Sequence, residues 1–193
     1  MSNRAGRALA VASSVNSSSS TRLESDAELK DAVEELFVHC QGRVGRYLVQ
    51  MVGDRALAED LLQDSFHDAL RSRTQLPQVR NREAWLYGIA RNRALQALRK
   101  RRRFDRVLGR LSGGPTTSGD DAEIVAVRDL LVRTLSPEDR ALVLLRYLHD
   151  FDTNELAEIS GLTAEAIWQR LSRARTRLIH AARLHDDNEG EQR

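Results

Sequence analysis

The chain has 193 residues, enough for one domain or two small ones, and its 41% hydrophobic and 30% charged residues describe a protein able to bury a core. No apolar run approaches the roughly 18 residues of a membrane span, and the lone Cys40 excludes an intramolecular disulfide framework. The formal charge is only +2, yet residues 24–70 hold 4 basic and 11 acidic side chains while residues 71–110 hold 13 and 2, so one stretch repels nucleic acid and the next attracts it.

In chain order, the apolar part of residues 1–23 is too short and too interrupted by Ser and Asn for a secretory leader, so a disordered, solvated tail and a cytoplasmic location are expected. From Asp26 to Val52, the apolar residues Leu29, Val33, Leu36, Phe37, Cys40, Val44, Tyr47, Leu48 and Met51 recur at three-and-four spacing, which predicts a helix ended by Gly53-Asp54. A second helix, Arg55 to Ser72, puts Ala58, Leu61, Leu62, Ser65, Phe66, Ala69 and Leu70 on one broad face. Arg73 to Arg80, with Pro77, reads as a loop. Asn81 then caps a third helix running to Arg103 or beyond, completing a first module over residues 24–110.

Residues 111–120, LSGGPTTSGD, concentrate turn-forming residues and read as a flexible linker. A second module over 121–185 opens with a helix from Asp121 to Thr134. Ser136-Pro137-Glu138-Asp139 supplies a cap, a proline suited to the first helical position and two carboxylates for the positive helix end, so a further helix runs to Leu148. Thr153 to Leu178 holds two helical patterns around Gly161, with Thr153 and Thr163 as caps and Leu156, Leu162, Ile167 and Leu171 as shared core, which is the pattern of a helix-turn-helix. Residues 186–193 are expected to be a disordered tail. Every predicted element is helical, so the fold class is all-α: two small helical domains on a flexible tether.

Two segments carry the chemistry. At the start of the second helix of the helix-turn-helix, Thr163, Ala164, Glu165, Trp168, Gln169 and Ser172 are placed to face a major groove, and Arg170, Arg173, Arg175 and Arg177 to reach base edges or phosphates. An ordinary helical hairpin with a solvated arginine face has the same pattern. The run from Arg80 to Phe104 combines aromatics with concentrated cations, as a single-strand platform requires, although Trp85 serves equally as core. The five histidines are scattered and no paired-carboxylate or nucleophile constellation emerges. No catalytic residue, metal site or cofactor is expected, and the protein is read as not an enzyme.

The order of AEDLLQDSF at 58–66, WLYGIARNRALQALRKRRR at 85–103, then LSPEDRALVLLRYL and the helix-turn-helix at 135–178 resembles the extracytoplasmic-function (ECF) group of the bacterial RNA polymerase sigma factors, in the sigma-70 superfamily. The resemblance spans about residues 27–182. It implies a region 2 domain that binds the polymerase clamp and melts the minus-ten promoter element, and a region 4 domain that binds the polymerase flap and the minus-thirty-five element. By the same resemblance, Asp60, Leu61, Gln63, Asp64 and His67 would dock on core RNA polymerase. Arg73, Thr74, Gln75, Arg80, Asn81, Trp85, Arg91, Asn92, Arg93, Gln96, Arg99, Lys100, Arg101 and Arg102 would meet minus-ten DNA, with a flipped base captured by the 73–81 loop.

Gln96 stands where the family often has Asp, and Trp168 with Gln169 replaces the usual small polar or basic pair, so the promoter sequence read is open. The Trp168 indole either touches a thymine methyl group or the backbone, or is buried against the preceding helix. The resemblance further implies an anti-sigma factor as partner, and no membrane contact except through a membrane-bound one. The alternative reading is an autonomous helix-turn-helix regulator that binds duplex DNA without polymerase.

Overall fold

The computed structural model describes residues 25–108 and 122–190; the expected tail over 1–23, the expected linker over 111–120 and residues 191–193 lie outside the described residues. Among the described residues there are seven α-helices: α1 (Asp26–Val52), α2 (Arg55–Arg71), α3 (Arg82–Leu108), α4 (Ala122–Thr134), α5 (Pro137–Tyr147), α6 (Thr153–Ser160) and α7 (Ala164–Gly190). No strand occurs among the described residues.

Local chemistry sets most of the boundaries. Ser25 and Glu28 form a reciprocal capping box at the start of α1, and Gly53 ends it in the left-handed conformation at φ 71°. Asp54 caps α2, and Ser136 accepts from the Asp139 amide to start α5, with Pro137 in its first turn. Three expectations are corrected. The stretch read as a loop over 73–80 contains a 3-10 helix, Arg73–Gln78, anchored by buried Leu76; Pro77 has no N–H for an α-helical ladder. The cap of α6 is Asp152 rather than Thr153: its carboxylate accepts from the amides of Asn154 and Glu155, and Glu155 returns the bond to the Asp152 amide, which leaves Thr153 inside the first turn. Finally, α7 continues to Gly190, past the boundary at 185 where a disordered tail was expected, because adding a residue to a formed helix needs no new nucleation.

The first three helices pack on one another through Val33, Val44, Leu48 and Met51 of α1, Ala58, Leu61 and Ala69 of α2, and Leu86, Ala90 and Ala94 of α3. In the second module Leu156, Ile159, Ile167 and Leu171 pack α6 and α7 against α5. Helix α5 is buried over six consecutive residues, Arg140 to Leu145, so it presents no solvated face there. It touches α1 and α3 on one side and α4, α6 and α7 on the other.

The joint between the modules is aromatic. Tyr47 of α1 and Tyr87 of α3 meet edge-on with ring centroids 5.6 Å apart. The loop joining α5 to α6 inserts His149, 5.6 Å from Tyr47 and 5.2 Å from Tyr87, and Phe151, 4.8 Å from Tyr87. The Tyr87 hydroxyl and His149 Nδ1 share a hydrogen bond of 2.9 Å. The loop is held by Arg146, which donates to the Phe151 carbonyl at 2.9 Å, and Asp150 takes a positive φ of 60° in it.

His149 is buried, and its Nε2 has no partner among the described residues. Imidazolium carries a donor on each nitrogen, so protonation would leave one buried N–H unsatisfied. Desolvation, aided by Arg43 and Arg46, lowers its pKa from 6.5 to about 4, against a small opposing effect of Asp150. The remaining titratable groups around it are Tyr47 on α1 and Tyr87 and Glu83 on α3, with Arg140 of α5 beyond Tyr47. A depressed base pKa means that the joint's stability is complete above pH 6.5 and is lost progressively as pH falls towards 4. Hydrogen exchange of the 149–151 amides is therefore expected to accelerate between pH 7 and pH 5 after correction for intrinsic rates. His149→Phe is expected to remove that dependence.

Candidate nucleic-acid interface

Helix α2 turns one polar side outward. Asp60, Gln63, Asp64 and His67, at three-and-four spacing, are all exposed. Leu61, expected among the contacts, is 6% exposed and packs in the core, while Leu62 is only partly covered. The helical phase explains this, since Leu61 falls with Ala58, Ser65 and Ala69 on the buried side. Ser65 is itself satisfied by donating to the Leu61 carbonyl at 2.6 Å.

Helix α3 divides its residues among three surfaces. On the side facing the second module lie Ala84, Tyr87, Gly88, Arg91 and Leu95. Arg91 was expected on the DNA path, but only 8% of it is exposed, and burial lowers its pKa. It follows Tyr87 by four residues and Gly88 by three, which carries it into the joint. Towards α2 lies Arg93, which pairs with Asp68 and, at 3.7 Å, with Asp64. The hydrogen bond from Arg93 is the main cause of the lowered Asp68 pKa. Arg93 thus ties α3 to α2.

The third surface is an outward stripe. Trp85 starts it, half-buried against the core, and exposed Asn92, Gln96 and Arg99 continue it, with exposed Lys100 and Arg102 and half-exposed Arg101 beside it. Arg103, missing from the expected contacts, is exposed and lies eighteen residues, five helical turns, beyond Trp85, so helical phase alone would have found it. Arg99 stands 3.8 Å from Glu138 of α5.

Around the 3-10 turn, Thr74, Gln75 and Arg80 are exposed. The Arg73 guanidinium forks onto the Asp26 carboxylate at 2.7 and 2.8 Å and donates to the Leu70 carbonyl at 2.7 Å, so it fastens the turn to the start of α1. Asn81 accepts from the Ala84 amide at 3.0 Å, capping α3, and its Nδ2 donates to Glu155 Oε1 of α6 at 2.6 Å.

In the second module, Gly161 makes the turn between α6 and α7 at φ 70°, a conformation that other residues adopt at a cost. Thr163 Oγ1 accepts from the Ala166 amide at 3.2 Å and caps α7. Ala164, Glu165, Trp168, Gln169 and Ser172 are then all exposed on the first turns of α7. Trp168 is 62% exposed, which decides against burial on the preceding helix. Gln169 donates to Glu165 at 3.4 Å, and Arg173 donates to the Gln169 carbonyl at 3.1 Å. Arg170, half-buried, and Arg177 both approach Asp139 of α5, at 3.4 and 3.6 Å, whereas Arg175 is exposed. Among the described residues no group of three His, Cys, Asp or Glu side chains could hold a metal ion, and no helix is long and apolar enough to cross a membrane.

Comparison with known proteins matches residues 36–104 to sigma-70 region 2 and residues 129–178 to sigma-70 region 4. RNA polymerase sigma factor CarQ of Myxococcus xanthus is 33% identical over 153 residues, covering 77% of this chain and 88% of CarQ. ECF RNA polymerase sigma factor SigL of Mycobacterium tuberculosis is 32% identical over 150 residues, covering 72% of this chain and 80% of SigL. Among solved structures, the sigma factor RpoE of Bartonella quintana, determined in complex with the anti-sigma factor NepR, superposes with a TM-score of 0.64 at 25% identity, covering 80% of this chain and 98% of that one. With two family regions in the expected order and relatives matched over most of their length, the chain belongs to the ECF group of sigma-70 RNA polymerase sigma factors.

Proposed function

We propose that this sigma factor binds core RNA polymerase through the exposed side of α2, meets melted minus-ten DNA with the outward stripe of α3, and reads the minus-thirty-five element with the first turns of α7. It works in the cytoplasm and performs no bond chemistry of its own. The observation that carries this reading is the presence, on one chain, of three separate exposed polar surfaces: Asp60, Gln63, Asp64 and His67; Asn92, Gln96, Arg99, Lys100, Arg102 and Arg103; and Glu165, Trp168, Gln169 and Ser172. An acidic docking face suits a basic protein partner and repels DNA, while clustered arginines attract phosphates by counterion release. By analogy with the RpoE–NepR complex, an anti-sigma factor is the inhibitory partner.

The deciding experiment mixes the purified chain with core polymerase on native templates. Start-site-selective RNA synthesis and a stoichiometric complex are expected, whereas an autonomous regulator would give neither. Asp60→Ala combined with Gln63→Ala should weaken polymerase binding at least about tenfold, roughly 1.4 kcal/mol, while duplex binding through α7 is unchanged; titration of labelled polymerase measures it. Arg102→Ala with Arg103→Ala should flatten the salt dependence of single-strand binding by about 0.7 in slope per lost phosphate contact. Trp168→Ala should change upstream-element preference in a binding-site selection, with stability altered by less than about 0.5 kcal/mol because the indole is a surface group.

A further inference from the structure

Where α3, α5 and α7 meet, the fold gathers more cations than it neutralises. Arg91 of α3 is 8% exposed and Arg140 of α5 is 3% exposed, and the Nε of each is buried with no hydrogen-bond partner among the described residues. The Tyr47 hydroxyl, close enough to act on both guanidiniums, is a third buried polar atom without a partner. Burial lowers the pKa of both arginines, that of Arg140 to about 10. Unpaired buried donors are costly, charged ones most of all, and native structures keep few of them. The carboxylate that acts on both is Glu138, in the first turn of α5.

Glu138 also lines a cleft of about 460 Å³, together with Ser136, Asp139, Arg170, Arg173 and Arg177. Arg170 is within electrostatic reach of Arg91, so the buried arginines stand behind the cleft wall. The ion pairs of this cleft are long: Arg99 is 3.8 Å from Glu138, and Arg170 and Arg177 are 3.4 and 3.6 Å from Asp139. Elsewhere the chain pairs tightly, with Arg43 at 2.6 Å from Glu83 and Arg73 at 2.7 and 2.8 Å from Asp26. Charge-assisted bonds settle at about 2.7–2.9 Å. The cleft arginines are therefore held around a space rather than closed on their acids.

We propose that this cleft binds a diphosphate group, either inorganic pyrophosphate or the diphosphate of a nucleotide, with Arg170, Arg173 and Arg177 at its wall and Arg91 and Arg140 behind Glu138. The planar guanidinium fork matches phosphate oxygens two at a time. Six guanidiniums, counting Arg99, face the two carboxylates Glu138 and Asp139, and a single phosphate would leave much of that charge unanswered. The positive end of α5, capped by Ser136, adds to the same field. Glu138 is a half-buried side chain on the first turn of its helix and competes with the anion for the buried pair, so it swings aside when the anion enters. The site does not depend on the promoter reading of α3.

The test titrates sodium pyrophosphate into the full chain at constant ionic strength, read by isothermal calorimetry and thermal melting, with ADP as the nucleotide and sulfate as the reference anion. Saturation at one pyrophosphate per chain is expected, with a melting temperature that rises with its concentration; sulfate should give neither. Arg140→Met keeps a long unbranched side chain in the core and should weaken binding at least about tenfold. Arg170→Gln should do the same and carries the test if the first variant does not fold. Glu138→Gln removes the competing charge and should tighten binding severalfold, a gain that a purely structural role for the acid would not produce. Arg55→Ala, on exposed α2, should leave affinity unchanged. Equal affinities for ADP and pyrophosphate assign the site to the diphosphate group itself, and tighter ADP assigns it to a nucleotide. A response that never saturates and is shared with sulfate is adventitious counterion binding only and overturns the site, as does unchanged affinity in both Arg170→Gln and Glu138→Gln. The proposal also fails if pyrophosphate gives no signal while a 12-nucleotide single strand binds and Arg140→Met abolishes it, since the buried pair then serves a nucleic-acid backbone.

Discussion

A buried imidazole that must stay neutral fixes much of this structure. His149 sits where α1, α3 and the α5–α6 loop converge, bonded to the Tyr87 hydroxyl and ringed by Tyr47, Tyr87 and Phe151. Edge-on aromatic pairs add about 0.5–1.5 kcal/mol each to the burial of their surfaces, and the arrangement admits little repacking because interiors are close-packed. With the joint in place, α5 is buried from Arg140 to Leu145, and α3 is fixed in rotation against both modules. The outward direction of the α3 stripe follows from that rotation.

The arginines of α3 show why a count of charge overstates the number of free cations on a surface. Arg93 is spent on Asp68 and Asp64, Arg91 on the joint, and Arg99 stands near Glu138, so the freely exposed cations gather towards Lys100, Arg102 and Arg103. The Arg93 pairs have a structural use: they cross from the acidic helix to the basic one and let two helices of opposite charge lie side by side. The polarity of the chain thus stabilises the fold locally.

Much of the helical layout was legible in the sequence because the signals are short-range. Ser25, Gly53, Ser136 and Gly161 act within four residues of the boundaries they set, so α1, α5 and the α6–α7 turn could be placed by local chemistry alone. Asp152 and Thr153 were both able caps, and only the capping box with Glu155 separates them. The surroundings of the arginines are not legible in the same way, because they depend on which partner each helical phase meets: Asp26, forty-seven residues away, for Arg73, the second module for Arg91, and Asp68 for Arg93. One long-range signal was present and unread. The run Ala141 to Leu145 has no polar face, and such a helix needs neighbours on every side, more than a small helix-turn-helix domain supplies.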